Sequence, residues 1–385
     1  MSNEKQGSLS IHPYIGGTTI NLIRNVIKHG GVSKNNIATF AVTLFGTICL
    51  SPLRAFEAIA FGRKIAKTEL AEDPIFIIGH WRSGTTHLHN VVSQDSRLGY
   101  LSTLHAIFPT CCATLSKNKF LKNMIANLLP EKRMMDNVKM GLDYPQEEEF
   151  SLSCVTTSSH HCNHFPSTIE KSFDEYVLHN VSDVEREKWK KTYMKTIRKA
   201  SYMANGKRLA LKNPYNTARL EILLEMFPNA KFIHIYRNPY TIYVSALHDF
   251  IKEAEEMALQ DFSESEFATI CYELYEKLMK KFWESRDLVP KGNLSEVAFE
   301  DFEKNPLSEM KRIYSELNLD LNEEQLANIS QYLDSLSDYK RNKYTFSSSL
   351  VDEISDKWGF ALEKLNYSLP PDILVNDDEN WTCKM

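Results

Sequence analysis

The sequence predicts an α/β protein of three layers, a mainly parallel central sheet flanked by helices, with a helical N-terminal extension and helical insertions. Three observations lead there. Short apolar runs recur at 75–78, 209–212 and 231–236, the pattern of strands buried on both faces. Each run leads through turn residues into a stretch of helical period, and alternating strand and helix implies parallel pairing. The chain has 385 residues, 43% hydrophobic and 25% charged, enough to bury one large core without disulfides or metal.

The first element is helical. The opening MSNEKQGSLS is polar and does not read as a secretory signal. Ile37 to Leu53 carries no charge but is interrupted by Thr39, Thr43, Thr47, Ser51 and Pro52, which leaves it short for a bilayer span. Ile37, Phe40, Ala41, Leu44, Phe45 and Ile48 recur at i, i+3, i+4 spacing, so an amphipathic helix docked on the core is expected. Peripheral membrane contact through 37–53 is the alternative. Ser51 and Pro52 read as the cap and first residue of a further helix with Leu53, Phe56 and Ile59/Ala60 on its apolar face. Residues 1–72 are therefore expected to pack as an extension on a core domain at 73–385, with a helical insertion over about 105–205.

Ile75-Phe-Ile-Ile78 is the first buried strand. It runs into Gly79-His-Trp-Arg-Ser-Gly84-Thr-Thr86 and then a helix to about Ser93. The loop nearly fits G-x-x-x-x-G-K-[S/T], in which backbone amides at a helix N-terminus cradle phosphate oxygens. The lysine is missing: Thr85 occupies its place, and Arg82 sits inside the loop. Leu209 to Lys212 is the next strand, then the turn Asn213-Pro-Tyr-Asn216 and a helix through Leu220, Leu223 and Phe227. The strand 231–236 ends in Arg237, with Asn238 placed to cap and Pro239 to start the following helix. Arg237 can offer two parallel bonds to a phosphate, and Thr241 and Ser245 share one helix face. A last strand runs from Leu294 to Phe299. It ends in Glu300-Asp301, which read as ordinary strand-end carboxylates; the strand 231–236 ends in Arg237 rather than Asp, so no clear acidic strand end of the kind that holds magnesium beside a nucleotide is found.

Ile78-Gly-His-Trp-Arg-Ser-Gly-Thr-Thr86 resembles the 5′-phosphosulfate loop of sulfotransferases that use 3′-phosphoadenosine-5′-phosphosulfate (PAPS). Arg before Ser-Gly-Thr-Thr is similar to the broad bacterial branch and the tyrosylprotein enzymes; cytosolic animal members usually carry Lys where this chain has Arg82. Arg237 to Ser245 resembles the family's 3′-phosphate motif, an Arg at a strand end and a Ser eight residues on. Leu294 to Phe302 with Asn305-Pro306 looks like its late strand, and the resemblance spans roughly 74–320. It implies a P-loop-type fold and in-line transfer of a sulfuryl group from PAPS to an acceptor hydroxyl. PAP (3′-phosphoadenosine-5′-phosphate) would be the product, and no metal is expected. Arg82, Ser83, Gly84, Thr85, Thr86, Arg237, Thr241 and Ser245 are the implied donor contacts. Arg341-Asn-Lys-Tyr344 is the candidate closing loop, adding Asn342 and Lys343.

For catalysis, Arg82 and Lys212 are the expected cations around the transferring group. Cytosolic members place a His base shortly after the lysine; here Pro214 stands there. Asp143-Tyr-Pro-Gln-Glu-Glu-Glu149 resembles an acidic segment of the bacterial branch, with Pro145 expected to start a helix. Glu147 and Glu148 are both candidate bases, against the alternative that these carboxylates only offset the helix dipole. His80 is a further candidate. His160, His161 and His164 lack the spacing of a zinc site and suggest an acceptor-pocket or surface role.

A net charge of −5 gives no general attraction to nucleic acid. Seven irregularly spaced cysteines fit a reducing cytoplasm rather than a disulfide framework. Residues 100–130 and the N-terminal helices are rich in Leu, Phe, Ile and Met, which favours a hydrophobic small-molecule alcohol, sterol or lipid, as acceptor. A carbohydrate acceptor is the alternative. A P-loop nucleotide kinase or NTPase, and a non-catalytic nucleotide-binding protein, are the rival classes. The oligomeric state is not readable.

Overall fold

Five strands, β1 (Ile75–Ile78), β2 (Leu98–Gly99), β3 (Arg208–Lys212), β4 (Lys231–Tyr236) and β5 (Leu294–Ala298), form one sheet in the order β2-β3-β1-β4-β5. Every pairing is parallel. This computed structural model describes residues 12–129, 141–160, 164–336, 343–371, 373–375 and 382–384. The helices used below are α1 (Thr19–Lys28), α2 (Ile37–Cys49), α3 (Ser51–Ala60), α4 (Thr85–Val92), α5 (Lys119–Ala126), α6 (Glu148–Val155), α7 (Asp183–Met203), α8 (Pro239–Met257), α9 (Glu264–Ser285) and α10 (Ser348–Leu365).

The alternation of side chains along β1 builds the three layers. Phe76 and Ile78 enter a core shared with Trp189 of α7, Val244 of α8, Tyr275 of α9 and Trp358 of α10. Ile75 and Ile77 enter a second core with Leu88 and Val91 of α4 and with Phe302 and Ile313. Both faces of the sheet are thus dry, which is why its strands read as unbroken apolar runs.

Register places the chemistry. Ile77 lies opposite Lys212 on one side and Ile233 on the other. The chain passes from β1 to β3 on one flank and then to β4 on the opposite flank, so the strand order reverses at β1. Ligands in open parallel sheets bind at such a point, beyond the carboxyl ends of the strands. The loops carrying Arg82, Asn213 and Arg237 all leave the sheet at that edge.

Three local expectations are corrected. Ser51 does not cap α3: the residue before it, Leu50, is itself helical, and the Ser51 hydroxyl donates back to the Thr47 carbonyl at 3.2 Å. The apolar face read for α2 and α3 is divided: Phe40 and Leu44 of α2 and Leu53 of α3 pack half-buried against the core as expected, and the other large residues named turn outward. Thr43 and Thr47 are buried while Ile37, Phe45 and Ile48 are exposed; on α3, Glu57 is buried while Phe56 and Ile59 are exposed. Pro145 does not start α6. It bridges Ser102 in an antiparallel pair, and the helix begins at Glu148. A small second sheet, β6 (Lys343–Phe346), β7 (Leu374–Val375) and β8 (Thr382–Lys384), was not expected from the sequence. Lys343 opens β6; Arg341, Asn342 and His161 lie outside the described residues.

Candidate active site

The loop between β1 and α4 is built on two glycines. Gly79 has φ +142°, and a Cβ there would fall 2.1 Å from the Ile235 carbonyl oxygen. Gly84 has φ +95°, and a Cβ would fall 2.3 Å from the Phe299 ring. Neither position accepts a side chain. Arg82, between them, also has positive φ, +65°, a strained conformation for a non-glycine residue. Hydrogen bonds hold the turn: Gly79 N–H donates to Thr217 Oγ1 at 2.8 Å, and Ser83 Oγ donates to the His80 carbonyl at 2.6 Å. Ser83 and Thr85 are buried; Thr86 is half-buried at the α4 N-terminus, where amides and helix dipole favour an anion.

The strand-end arginine meets this loop directly. Arg237 Nη1 donates to the Arg82 carbonyl at 3.2 Å, and its guanidinium lies 4.3 Å over the Phe299 ring that also backs Gly84. Asn238 caps α8 as the sequence suggests, accepting from Tyr240 N–H at 3.1 Å. Its own N–H donates to Glu300 at 3.2 Å, and its side chain donates to the Ser368 carbonyl at 2.8 Å. Farther along α8, Ser245 Oγ accepts from Arg82 Nε at 2.8 Å, and Asp249 lies 3.7 Å from Arg82 Nη1. Thr241 sits one turn before Ser245 and is half-buried. Arg82, Arg237 and Ser245 therefore form one contiguous patch.

Three consecutive carboxylates meet three environments. Glu147, the residue before α6, forms an ion pair with Lys212 at the end of β3, and Lys212 Nζ also donates to Thr86 Oγ1 at 3.3 Å. Glu148 is fully buried and accepts from Tyr193 at 2.8 Å and Asn216 at 2.6 Å. Its other oxygen has no partner among the described residues, and burial pushes the carboxyl up to about 7. Glu149 takes two bonds from Arg219, at 2.7 and 3.2 Å, one from Asn213 at 2.8 Å and one from the His160 amide at 3.3 Å. Of the three, Glu147 is the one partly exposed and joined to the loop.

The histidines separate from this centre. His80 is packed against Trp81 and Tyr275 with Nδ1 on the Trp81 carbonyl, and burial lowers it to about 3. His160 bonds Ser172 and stacks edgewise on Tyr215. His164 packs against His12 and Tyr14. Among the described residues, no group of three or more His, Cys, Asp or Glu is placed to hold a metal. Sequence reasoning missed Asp249, Phe299, Thr217 and Arg219. Asp249 had a signal, four residues after Ser245 on the same helix; the others come from elements distant in the chain.

A sequence model described as the sulfotransferase family matches residues 74–323, well over half of the chain. The chain belongs to that family. Over 324 residues it is 33% identical to omega-hydroxy-beta-dihydromenaquinone-9 sulfotransferase Stf3 of Mycobacterium bovis, covering 82% of this chain and 81% of the relative. The sulfotransferase STF9 structure from Mycobacterium avium covers 97% of this chain and all of its own, with TM-score 0.65 at 14% identity. STF1 from Mycobacterium tuberculosis H37Rv covers 88% of this chain and 90% of its own, with TM-score 0.62 at 17% identity. At those identities the two structures speak to the fold, which is the sulfotransferase α/β architecture.

Proposed function

We propose that this sulfotransferase takes its sulfuryl group from PAPS and transfers it to the hydroxyl of a hydrophobic alcohol, a lipid or sterol-like molecule. The observation that carries the donor reading is the contiguity of Arg82, Arg237 and Ser245 beside the amides of the α4 N-terminus. One small ligand with two phosphate groups can reach all of them. In this reading Ser83, Gly84, Thr85, Thr86 and Arg82 hold the 5′ end, and Arg237, Ser245 and Thr241 hold the 3′-phosphate. Each anionic oxygen gains charge-assisted bonds. All of these residues lie within 73–385, and we read residues 1–72 as an extension packed against that unit.

Glu147 and Lys212 supply the chemistry. The acceptor hydroxyl loses its proton to the Glu147 carboxylate as its oxygen bonds to sulfur. The bond between sulfur and the 5′-phosphate oxygen breaks, leaving PAP and a sulfate ester. Lys212 and Arg82 stabilise the charge that develops on the leaving oxygen. Glu148 sits behind Tyr193 and Asn216, Glu149 is committed to Arg219, and a histidine at about 3 is a weak proton acceptor, so Glu147 is the base we assign. The hydrophobic acceptor is supported by the name of the Stf3 relative, a sulfotransferase of a hydroxylated menaquinone, and by the apolar character of the N-terminal helices.

Calorimetry with PAP, followed by transfer from sulfur-labelled PAPS to a panel of long-chain alcohols, sterols, phenols and sugars, tests both halves. PAP binding without added magnesium and labelling confined to the hydrophobic alcohols are expected. Labelling of sugars instead would replace the acceptor class. ATP bound more tightly than PAP, or PAP bound with no acceptor labelled, would favour the kinase or non-catalytic readings.

A further inference from the structure

Helices α2 and α3 turn Phe40, Leu44 and Leu53 toward the core but expose their other large apolar side chains and bury polar ones. A helix on a water-soluble protein turns apolar residues inward and polar ones outward. On α2 the buried residues are Thr43, 2% exposed, and Thr47, 0% exposed, whereas Phe45 is 68% exposed. On α3 the buried residue is Glu57, whereas Ile59 is 86% exposed. The buried polar groups are all satisfied. Thr47 and Thr19 hydroxyls meet at 2.9 Å, Thr43 donates to the Thr39 carbonyl at 2.7 Å, and Glu57 accepts from Thr114 N–H at 2.8 Å and pairs with Lys199. The inward face thus mixes satisfied polar groups with Phe40, Leu44 and Leu53, while a bare apolar surface faces outward.

Neighbouring helices also expose large apolar side chains. α1 packs against α2 and exposes Ile20 and Ile27; α5, which follows the helix packed on α3, exposes Phe120. The segment that carries α1 to α3 is basic, although Asp261 lies beside Ser33 and Asn35, Glu175 beside Lys28 and Asp143 beside Lys122. Residues 12–67 carry seven Lys and Arg against a single acid, the internally paired Glu57, in a chain whose net charge is −5. Arg24, Lys34, Arg63, Lys64 and Lys67 are exposed there, and Lys117 and Lys119 add to them beside α5. An apolar face rimmed by cations matches a bilayer with anionic headgroups.

We infer that α1, α2, α3 and α5 form a docking face that seats the enzyme on the surface of an anionic bilayer, with the apolar side chains in the upper acyl region and the cations among the headgroups. By length and composition Lys34–Ala60, 27 residues, could cross a membrane. The contacts of Thr47 with Thr19 and of Glu57 with Thr114 and Lys199, and the packing of Phe40 and Leu44 on the core, hold that stretch flat on the protein, so it lies in the interface rather than spanning. The face is close to the site. Asn21 of α1 donates to the Cys154 carbonyl at 2.9 Å, at the C-terminal end of α6, whose N-terminal end carries Glu147. That eight-residue helix separates them by about 12 Å. The consequence for catalysis rests on the acceptor proposed above: docking would bring a bilayer-dissolved alcohol to within one short helix of Glu147.

Flotation of the full chain with phosphatidylglycerol–phosphatidylcholine vesicles tests the docking face and needs no donor or acceptor. Most of the protein is expected to float with anionic vesicles at low salt and little with phosphatidylcholine alone. Phe45→Glu with Ile48→Glu should cut the bound fraction at least tenfold, and so should Lys64→Glu with Lys67→Glu. All four positions are exposed, and PAP affinity, measured on the same samples, should stay at its wild-type value. Absence of flotation overturns the inference, as does flotation indifferent to both double variants. A concentration-dependent dimer that the Phe45→Glu, Ile48→Glu variant dissolves, with no vesicle binding, would assign the face to a second copy of the chain. Vesicle binding together with failure to bind PAP would leave the docking face standing and remove the donor assignment.

Discussion

The side chain of Arg237 donates to the backbone carbonyl of Arg82, 3.2 Å away, so the two arginines that the sequence puts 155 residues apart share one patch. A third residue, Ser245, closes the patch through the Arg82 side chain. Arg237→Ala should weaken PAP binding roughly 100-fold or more, the scale of losing charge-assisted bonds to a phosphate. Arg237→Lys should recover only part, because an ammonium cannot make the parallel pair. Titration calorimetry with PAP reads both, and wild-type affinity in the alanine variant would remove Arg237 from the donor site.

Glu147→Gln keeps the shape of the side chain beside Lys212 but cannot take a proton. The turnover number is expected to fall about 10²- to 10⁴-fold, the usual span for a general base, with PAP affinity close to wild type and a modest loss of stability, because the Gln oxygen can still accept from the buried Lys212 but no longer neutralises it. A steep pH dependence that disappears in the variant would distinguish a base from a residue that merely positions Lys212.

What the sequence made legible follows from chain locality. The loop at 79–86 and the Arg237–Ser245 segment are each continuous, so strand, turn and helix signals fall in order and their chemistry can be read without knowing the fold. The carboxylates at 147–149 could not be told apart. Their roles are set by Lys212, Tyr193, Asn216 and Arg219, which arrive from β3, α7 and the segment after β3, and by the Pro145–Ser102 bridge that delays the helix start. Periodicity found α2 and α3, but of the stripe it gave them, Phe40, Leu44 and Leu53 pack on the core while the other large residues face outward. A period locates an apolar stripe; it does not say whether protein or another apolar medium covers it.

Glu148 makes stability depend on pH with a definite sign. Its carboxyl is held at about 7 in the fold by burial, against 4.5 as its ordinary value. Between those values the folded chain binds the proton and the unfolded chain has lost it. The stabilisation is complete below about 4.5 and is lost as pH rises through 7. Glu148→Gln stays neutral and can still accept from Tyr193 and Asn216. Its denaturation midpoint, compared with wild type, should improve steadily from pH 5 to pH 8, by roughly 2–3 kcal/mol in all. A constant difference across that range would refute the assignment.

Glu149 and Arg219 form a buried pair with two bonds, and Asn213 and the His160 amide complete the carboxylate's shell. Removing one partner strands the other charge in a dry interior, at a cost of roughly 3–5 kcal/mol. Arg219→Met should therefore lower the urea midpoint far more than Glu147→Gln does, while any folded fraction keeps PAP affinity. A variant with normal stability and lost PAP binding would instead put Arg219 in the site.

Gly84→Ala tests the coupling between the loop and the strand-end arginine. The new Cβ would meet the Phe299 ring at 2.3 Å in a backbone conformation, φ +95°, that alanine rarely adopts. Both effects destabilise, by roughly 1–3 kcal/mol for the backbone strain alone. The ring cannot yield without disturbing the Arg237 guanidinium 4.3 Å above it, so PAP affinity should fall with stability. A Phe299→Leu background separates the two contributions. If the clash dominates, Gly84→Ala costs less stability there than in wild type; if the φ angle dominates, the two costs are equal and the cycle closes without coupling. PAP affinity that survives Gly84→Ala unchanged would mean that the loop and Arg237 do not hold the same ligand.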